Sequence, residues 1–315
     1  MRAIRSFDLI GRPTGNDLRD VQIRFGLPSA TLVEKDFYVV KAIAEIVAAK
    51  TTPFSLVFGG GTSLGRAHRL IQRMSEDIDL KIVCNHKPTR SQLGQLRETI
   101  TMALLAADFQ FDPKNRAHRY SCNENRYTVF RIPYEPLIRG NGVLRPEIQI
   151  EITTWPLHCA PVTLPVCSFV AEAFGYPSEV SSIPCVAITQ TAAEKFVALT
   201  RRVSTELANP DNSRDETLIR HIYDLNIIRS RYEPAEVMTL ARMVMKQDAD
   251  VFGKQLPLYR NNPITETMRA VTALQTDSGY AECYERFLRE MVYGEQVTFS
   301  TCLGTLNELA EHIRL

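Results

Sequence analysis

Two aspartates one residue apart, Asp77-Ile78-Asp79, form the pair in this chain whose spacing can do chemistry. The segment Asp77-Ile78-Asp79-Leu80-Lys81-Ile82 alternates polar and apolar residues, the pattern of a half-buried strand. Residues two apart in a strand point to the same side, so both carboxylates aim at one place. Like charges held that close repel unless a proton or a cation lies between them. A hard divalent ion such as Mg²⁺ meets that need, because it takes oxygen ligands and keeps waters and substrate phosphates in its shell.

The elements that must position this pair lie just upstream. Leu56-Val57-Phe58 reads as a short buried strand, and Gly59, Gly60 and Gly61 let the backbone turn tightly and come close to a ligand. Thr62 is placed to cap a short helix in which Leu64, His68 and Ile71 share one face. A helix N-terminus offers N–H groups and a positive dipole end to a phosphate. Metal-binding carboxylates beside such a cradle are the parts of phosphoryl or nucleotidyl transfer. Asp-x-Asp alone is more often a surface strand with two solvated acids; the glycine turn one helix upstream turns the balance to the site. Two other glycine-loop chemistries are excluded. A P-loop needs Gly-Lys-Ser/Thr, whereas Gly60 leads only to Gly65-Arg66-Ala67, and a dinucleotide fingerprint fails at Leu64, where its third glycine belongs.

At 315 residues, 44% hydrophobic and 23% charged, the chain has the composition of a globular protein with ample core. Its formal net charge is +1, so any nucleic-acid contact must come from a local patch. The first seventeen residues lack the apolar core of a signal peptide, and no stretch is apolar enough to span a membrane. Seven cysteines without a Cys-x-x-Cys argue against a disulfide framework or a structural zinc. Reduced thiols in a cytoplasm are the expectation.

In chain order, the first fifty residues read as helical, with a break at Leu27-Pro28-Ser29 and Ser29 as a cap. Glu34-Lys35-Asp36, on its own, suits an exposed first turn. Ser91 to Ala107 forms a helix. The stretch from Lys114 to Arg131 mixes Arg116, His118, Arg119 and Arg126 with Tyr120, Tyr127 and Phe130, which suits nucleic acid as well as a solvated hairpin. Glu147-Ile148-Gln149-Ile150-Glu151-Ile152 alternates strictly and reads as a strand with its polar residues on one face. Five prolines between Pro156 and Pro184 disfavour long helices and suggest short strands or a connection. From Thr189 the pattern is helical to the end. Lys195 and Arg202, seven apart, share a face of the first such helix, and a second contains Arg220-His221-Ile222-Tyr223-Asp224-Leu225.

The strand, glycine turn, short helix and Asp-x-Asp resemble the DNA-polymerase-β-like nucleotidyltransferase superfamily. Within it the chain is most similar to the AbiEii/AbiGii toxin family, the branch that includes the MenT toxins. That resemblance is carried by Phe58-Gly59-Gly60-Gly61-Thr62-Ser63-Leu64, by Arg73-Met74-Ser75-Glu76-Asp77-Ile78-Asp79-Leu80, and upstream by Glu34-Lys35-Asp36-Phe37-Tyr38. It continues in Ala193-Glu194-Lys195 through Arg202 and in Asp224-Leu225, with His221 standing where the family usually has Asp. The resemblance implies an α/β fold: a small mixed sheet with flanking helices, then a mainly helical C-terminal domain. The expected domains are a nucleotidyltransferase core at 1–155, a proline-rich connection at 156–186, and a helical domain at 187–315 that contributes Lys195 and Asp224.

The resemblance also implies roles. Asp77, Asp79 and Glu151 would hold Mg²⁺, with Glu147 as the alternative third acid. Gly60, Gly61, Thr62, Ser63, Arg73, Ser75 and Arg202 would bind the NTP. Lys195 would reach its triphosphate, and Asp224 would either orient Lys195 or act as a base. The Glu34-Lys35-Asp36 motif would place Lys35 or Asp36 at the site. The implied activity is nucleotidyl transfer to an RNA, the tRNA 3′ end, by a toxin with a separate antitoxin. A protein hydroxyl as acceptor, or a silent nucleotide- or RNA-binding module, are the alternatives.

Overall fold

The computed structural model describes residues 11–139, 144–211 and 214–314, and the chain divides into two compact units, 1–186 and 187–315. The first ten residues and positions 212 and 213 of the expected loop lie outside the described residues.

In the first unit, helix α1 (Gly15–Phe25) starts at a capping box between Thr14 and Asp17 and ends at Gly26, whose φ of 62° is left-handed. Helix α2 (Ala30–Ala48) takes Ser29 as its cap, as the sequence break indicates. Next come β1 (Ser55–Gly59), α3 (Gly60–Arg66), β2 (Asp77–Val83), α4 (Arg90–Ala106), β3 (Arg119–Cys122), β4 (Tyr127–Pro133) and β5 (Glu147–Thr153). The stretch 156–186 supplies β6 (Val162–Val166), α5 (Phe169–Phe174) and β7 (Val180–Cys185) to this same unit. Pro165 is tolerated because β6 is an edge strand with a register shift between Leu164 and Val166, where a missing N–H costs little.

The seven strands form one mixed sheet in the order β3-β4-β5-β2-β1-β7-β6. β1 runs antiparallel to β2, and β2 runs parallel to β5, so the acid-bearing strands are neighbours. Strict alternation gives the sheet two unlike faces. Ile78, Leu80, Ile82, Ile148, Ile150 and Ile152 are buried in a core shared with Ile43 and Ile46 of α2 and Ile100 and Leu104 of α4. Asp77, Asp79, Glu147, Gln149 and Glu151 occupy the other face and are half-buried.

The described elements of the second unit are helical: α6 (Ile188–Ala208), α7 (Arg220–Ile227), α8 (Pro234–Phe252), α9 (Pro257–Asn261), α10 (Pro263–Thr276), α11 (Ser278–Met291) and α12 (Phe299–Arg314), with short 3-10 turns at Glu216–Ile219 and Arg229–Arg231. Prolines open α8, α9 and α10, where their missing N–H is one the helix leaves unbonded anyway. Among the described residues no helix is long and apolar enough to cross a membrane. All seven cysteines are free thiols.

Candidate active site

Strand register brings the sequence-selected acids together. Asp79 faces Glu151 across the β2–β5 pairing and Gly59 across β1–β2, while Asp77 faces Gln149. Glu151 accepts hydrogen bonds from Gln149 Nε2 at 2.8 Å and from the Tyr127 hydroxyl on β4. Burial and the nearby Asp77 charge push the Glu151 carboxyl above its ordinary range. Glu147, the alternative third acid, stands on the same face at the start of β5, 3.3 Å from Arg145 Nη1. The sequence places Tyr127 only among the rings of the basic stretch and Gln149 only on the polar face of a strand, and assigns neither to the acid site. The alternation through Gln149 and Glu151 was the signal for Gln149; the pairing of β4 with β5, which brings in Tyr127, left none.

The glycine turn closes on these acids. Gly60 has φ of +71°, and a Cβ there would meet Asp79 Oδ2 at 1.8 Å, so only glycine lets the carboxylate sit against the turn. At Gly61 a Cβ would meet Arg73 Nη2 and Ser75 Oγ, each at 2.7 Å. Arg73 and Ser75 thus converge on Gly61. Arg73 is buried and donates from Nη1 to the Met74 carbonyl at 2.7 Å. The expected cap at Thr62 is corrected. Helix α3 already begins at Gly60 with Gly59 as its cap, and the Thr62 hydroxyl instead donates to the Asp77 carbonyl at 2.5 Å, tying helix to strand. Ser63 is buried beside the Cys185 thiol.

The Glu34-Lys35-Asp36 motif is buried, not an exposed first turn, and each side chain holds a different segment. Glu34 accepts from the N–H groups of Leu137 and Ile138 at 2.8 and 3.4 Å. Lys35 Nζ lies 3.2 Å from Glu76 Oε2, donates to the Arg145 carbonyl at 2.9 Å, and donates also to the Glu147 carbonyl. It therefore joins the leading ends of β2 and β5. Asp36 pairs with Arg66 Nε at 3.2 Å and accepts from the Phe169 N–H at 2.7 Å, while the Arg66 guanidinium lies 3.5 Å from the Phe169 ring centre. The end of α3 is thereby fixed to α2 and α5.

Within the second unit, Lys195 on α6 and Asp224 on α7 form a buried ion pair, Nζ to Oδ2 at 2.6 Å. Burying two charges is costly unless they satisfy one another, so this pair is a built feature of the unit. Arg202 is more exposed; it pairs with Asp215 and donates to Thr217 Oγ1 at 3.0 Å.

Among the described residues no group of three or more His, Cys, Asp or Glu side chains is gathered tightly enough to hold an ion. Glu151 is held by Gln149 and Tyr127. The donor set itself fits a hard divalent ion, being all oxygen, on one face of adjacent strands, with a glycine cradle alongside.

The sheet, the glycine turn and the paired acid strands define a nucleotidyltransferase. Comparison with protein families confirms this: residues 46–305 match the model described as nucleotidyl transferase AbiEii toxin, type IV toxin–antitoxin system. The chain belongs to that family, and it is a nucleotidyltransferase toxin of a type IV toxin–antitoxin system. Among solved structures it is similar to MenT4, a nucleotidyltransferase toxin from Mycobacterium tuberculosis H37Rv, at 18% identity and a TM-score of 0.55. The match covers 94% of this chain and 89% of MenT4, and it supports the fold. Among curated proteins no sequence matches.

Proposed function

We propose that the protein transfers a nucleotide from an NTP to an RNA 3′ end, that of tRNA, using Mg²⁺ held by Asp77, Asp79 and Glu151. The observation that carries this reading is the register alignment of Asp79 with both Glu151 and the glycine turn. Gly60, Gly61, Thr62, Ser63, Arg73 and Ser75 receive the triphosphate, with Arg202 as a further nucleotide contact. Lys195 supplies a cation to the transfer and Asp224 fixes its ammonium. In the reaction the acceptor hydroxyl oxygen bonds to the α-phosphorus, the bond to pyrophosphate breaks, and the hydroxyl proton passes to a carboxylate. Mg²⁺ held by Asp77, Asp79 and Glu151 would supply neutralisation of the phosphate charge and a lowered pKa at the attacking hydroxyl. A cytoplasmic location and a separately encoded antitoxin complete the reading, since a toxin acting on RNA must be held in check where RNA is.

The test incubates pure protein with each α-labelled NTP, Mg²⁺ and total cell extract. Label that RNase removes and protease leaves is expected. Label confined to protease-sensitive material would replace RNA with a protein hydroxyl as the acceptor. No transferred label at all would leave a silent binding module.

A further inference from the structure

One line of register crosses the sheet from edge to site. Tyr120 on β3 faces Val129 on β4, Val129 faces Glu151 on β5, Glu151 faces Asp79 on β2, and Asp79 faces Gly59 on β1. Partners in register share a face, so the Tyr120 ring lies on the same side of the sheet as the acids. Adjacent strands are about 4.8 Å apart, which puts Tyr120 roughly 14 Å from Asp79. β3 is an edge strand, Tyr120 is half-buried, and the Arg116 guanidinium carbon lies 5.2 Å from its ring centre. Arg131 faces Gln149 one row along on the same side.

The basic stretch is thereby divided by the fold. Arg119 lies on the opposite face, bonded to Glu98 Oε2 at 2.9 Å and Thr101 Oγ1 at 2.8 Å on α4. Arg126 lies in the turn beside Glu124, at 3.7 Å. Arg116 and Arg131, flanking Tyr120 on the acid face, make a cation-and-ring surface that leads to three carboxylates. Its charge complements a phosphate backbone, its ring offers a stacking surface to any base, and its inner end is where an acceptor hydroxyl must arrive.

We propose that this row is the acceptor's path: a single-stranded RNA end crosses the sheet face, stacks an upstream base on Tyr120, sets its phosphates against Arg116 and Arg131, and delivers its terminal hydroxyl to Asp79 and Glu151. The proposal rests on the reading of the protein as a transferase acting on RNA. It gives Tyr120 and Arg116 no part in binding the NTP.

The test uses a fluorescein-labelled single-stranded dodecaribonucleotide with a free 3′ hydroxyl, read by anisotropy at several salt concentrations, beside label transfer to a total tRNA fraction. Tyr120→Ala should weaken oligonucleotide binding about tenfold and raise the KM for RNA with kcat and the NTP KM little changed, while Tyr120→Phe keeps the ring and binds as wild type. Arg116→Ala, at an exposed side chain, should lower the slope of log affinity against log salt by about one. Arg126→Ala should leave affinity unchanged. If Tyr120→Ala and Arg116→Ala both bind within twofold of wild type while wild type labels RNA, the path is wrong and the transfer reading stands. If wild type labels only protein, the RNA acceptor and the path fall together.

Discussion

Lys35→Met tests whether the two acid strands are held in place from outside the site. The substitution keeps a long unbranched stem and removes the ammonium that reaches Glu76 and the carbonyls of Arg145 and Glu147. Breaking a buried pair by deleting one partner costs about 3–5 kcal/mol, since the other charge is left uncompensated. Part of that is offset. Burial depresses the Lys35 pKa, which shows that its ammonium itself bears a desolvation penalty, and the Glu76 side chain keeps 13% exposure through which water can reach it. The expected loss is therefore near the lower end, about 3 kcal/mol, read as a lower urea midpoint with unchanged slope. A second readout separates positioning from bulk stability. If Lys35 sets the spacing of β2 and β5, the rise in melting temperature produced by Mg²⁺ should also shrink, because that rise depends only on affinity for the folded state. A loss below about 1 kcal/mol, or a full Mg²⁺-dependent rise in the variant, would refute the argument.

Four further outcomes follow from the same geometry. Gly60→Ala should cost about 1–2 kcal/mol for its left-handed backbone and displace the Asp79 carboxylate, so label transfer should fall far more than the urea midpoint. Asp79→Asn should leave metal-free stability equal or slightly higher by relieving repulsion. It should also shrink the Mg²⁺-dependent melting shift and lower transfer by orders of magnitude; full activity in this variant would sink the metal assignment. Lys195→Met leaves Asp224 buried without its cation and should lower both the urea midpoint of the second unit and transfer, whereas transfer intact in the folded variant would make the pair purely structural. Burial raises Asp36 to about 6 from 3.8, so the folded state binds more protons than the unfolded between those values. Its contribution is present below 3.8 and lost as pH rises through 6; measured against Asp36→Asn, wild-type stability should drop by up to about 3 kcal/mol across that window, and parallel pH curves would exclude the shift.

Much of the fold was legible because its elements announce themselves locally. The alternation in Asp77 to Ile82 and in Glu147 to Ile152 is that of strands with one buried face, and both strands appear at nearly those bounds. Ser29 caps α2 as its type and position require. After residue 187 the apolar residues keep helical spacing, and the described elements there are helices. The stretch 156–186 was less legible, because its prolines interrupt the pattern without showing what tolerates them. Pro165 is accommodated by an edge position and a register shift, which are properties of the sheet and not of the segment. Thr62 illustrates a local rule losing to a longer-range contact: glycine starts the helix one turn early, and the threonine hydroxyl finds the Asp77 carbonyl, fifteen residues away.

The acids of the candidate site could be read because periodicity fixes their face; what surrounds them could not, because it is decided by which strands become neighbours. Tyr127 reaches Glu151 only because β4 pairs with β5, and Lys35 reaches Glu147 across more than a hundred residues. Without tertiary contacts, Glu34-Lys35-Asp36 looks like three solvated charges near a helix start, which is what such residues usually are. In the fold each is spent on a segment whose backbone or charge would otherwise be buried unpaired. Family resemblance pointed at this motif and suggested contact with the site. The geometry gives the motif a positioning task as well, since Lys35 bonds to Glu76 and to carbonyls at the head of β5, and Asp36 to Arg66 at the end of the glycine helix. These are the three pieces that carry Asp77 and Asp79, Glu151, and Gly60. A motif can therefore serve a site by holding the segments that carry it, and variants of Lys35 or Asp36 should be judged by metal-dependent stabilisation as well as by turnover.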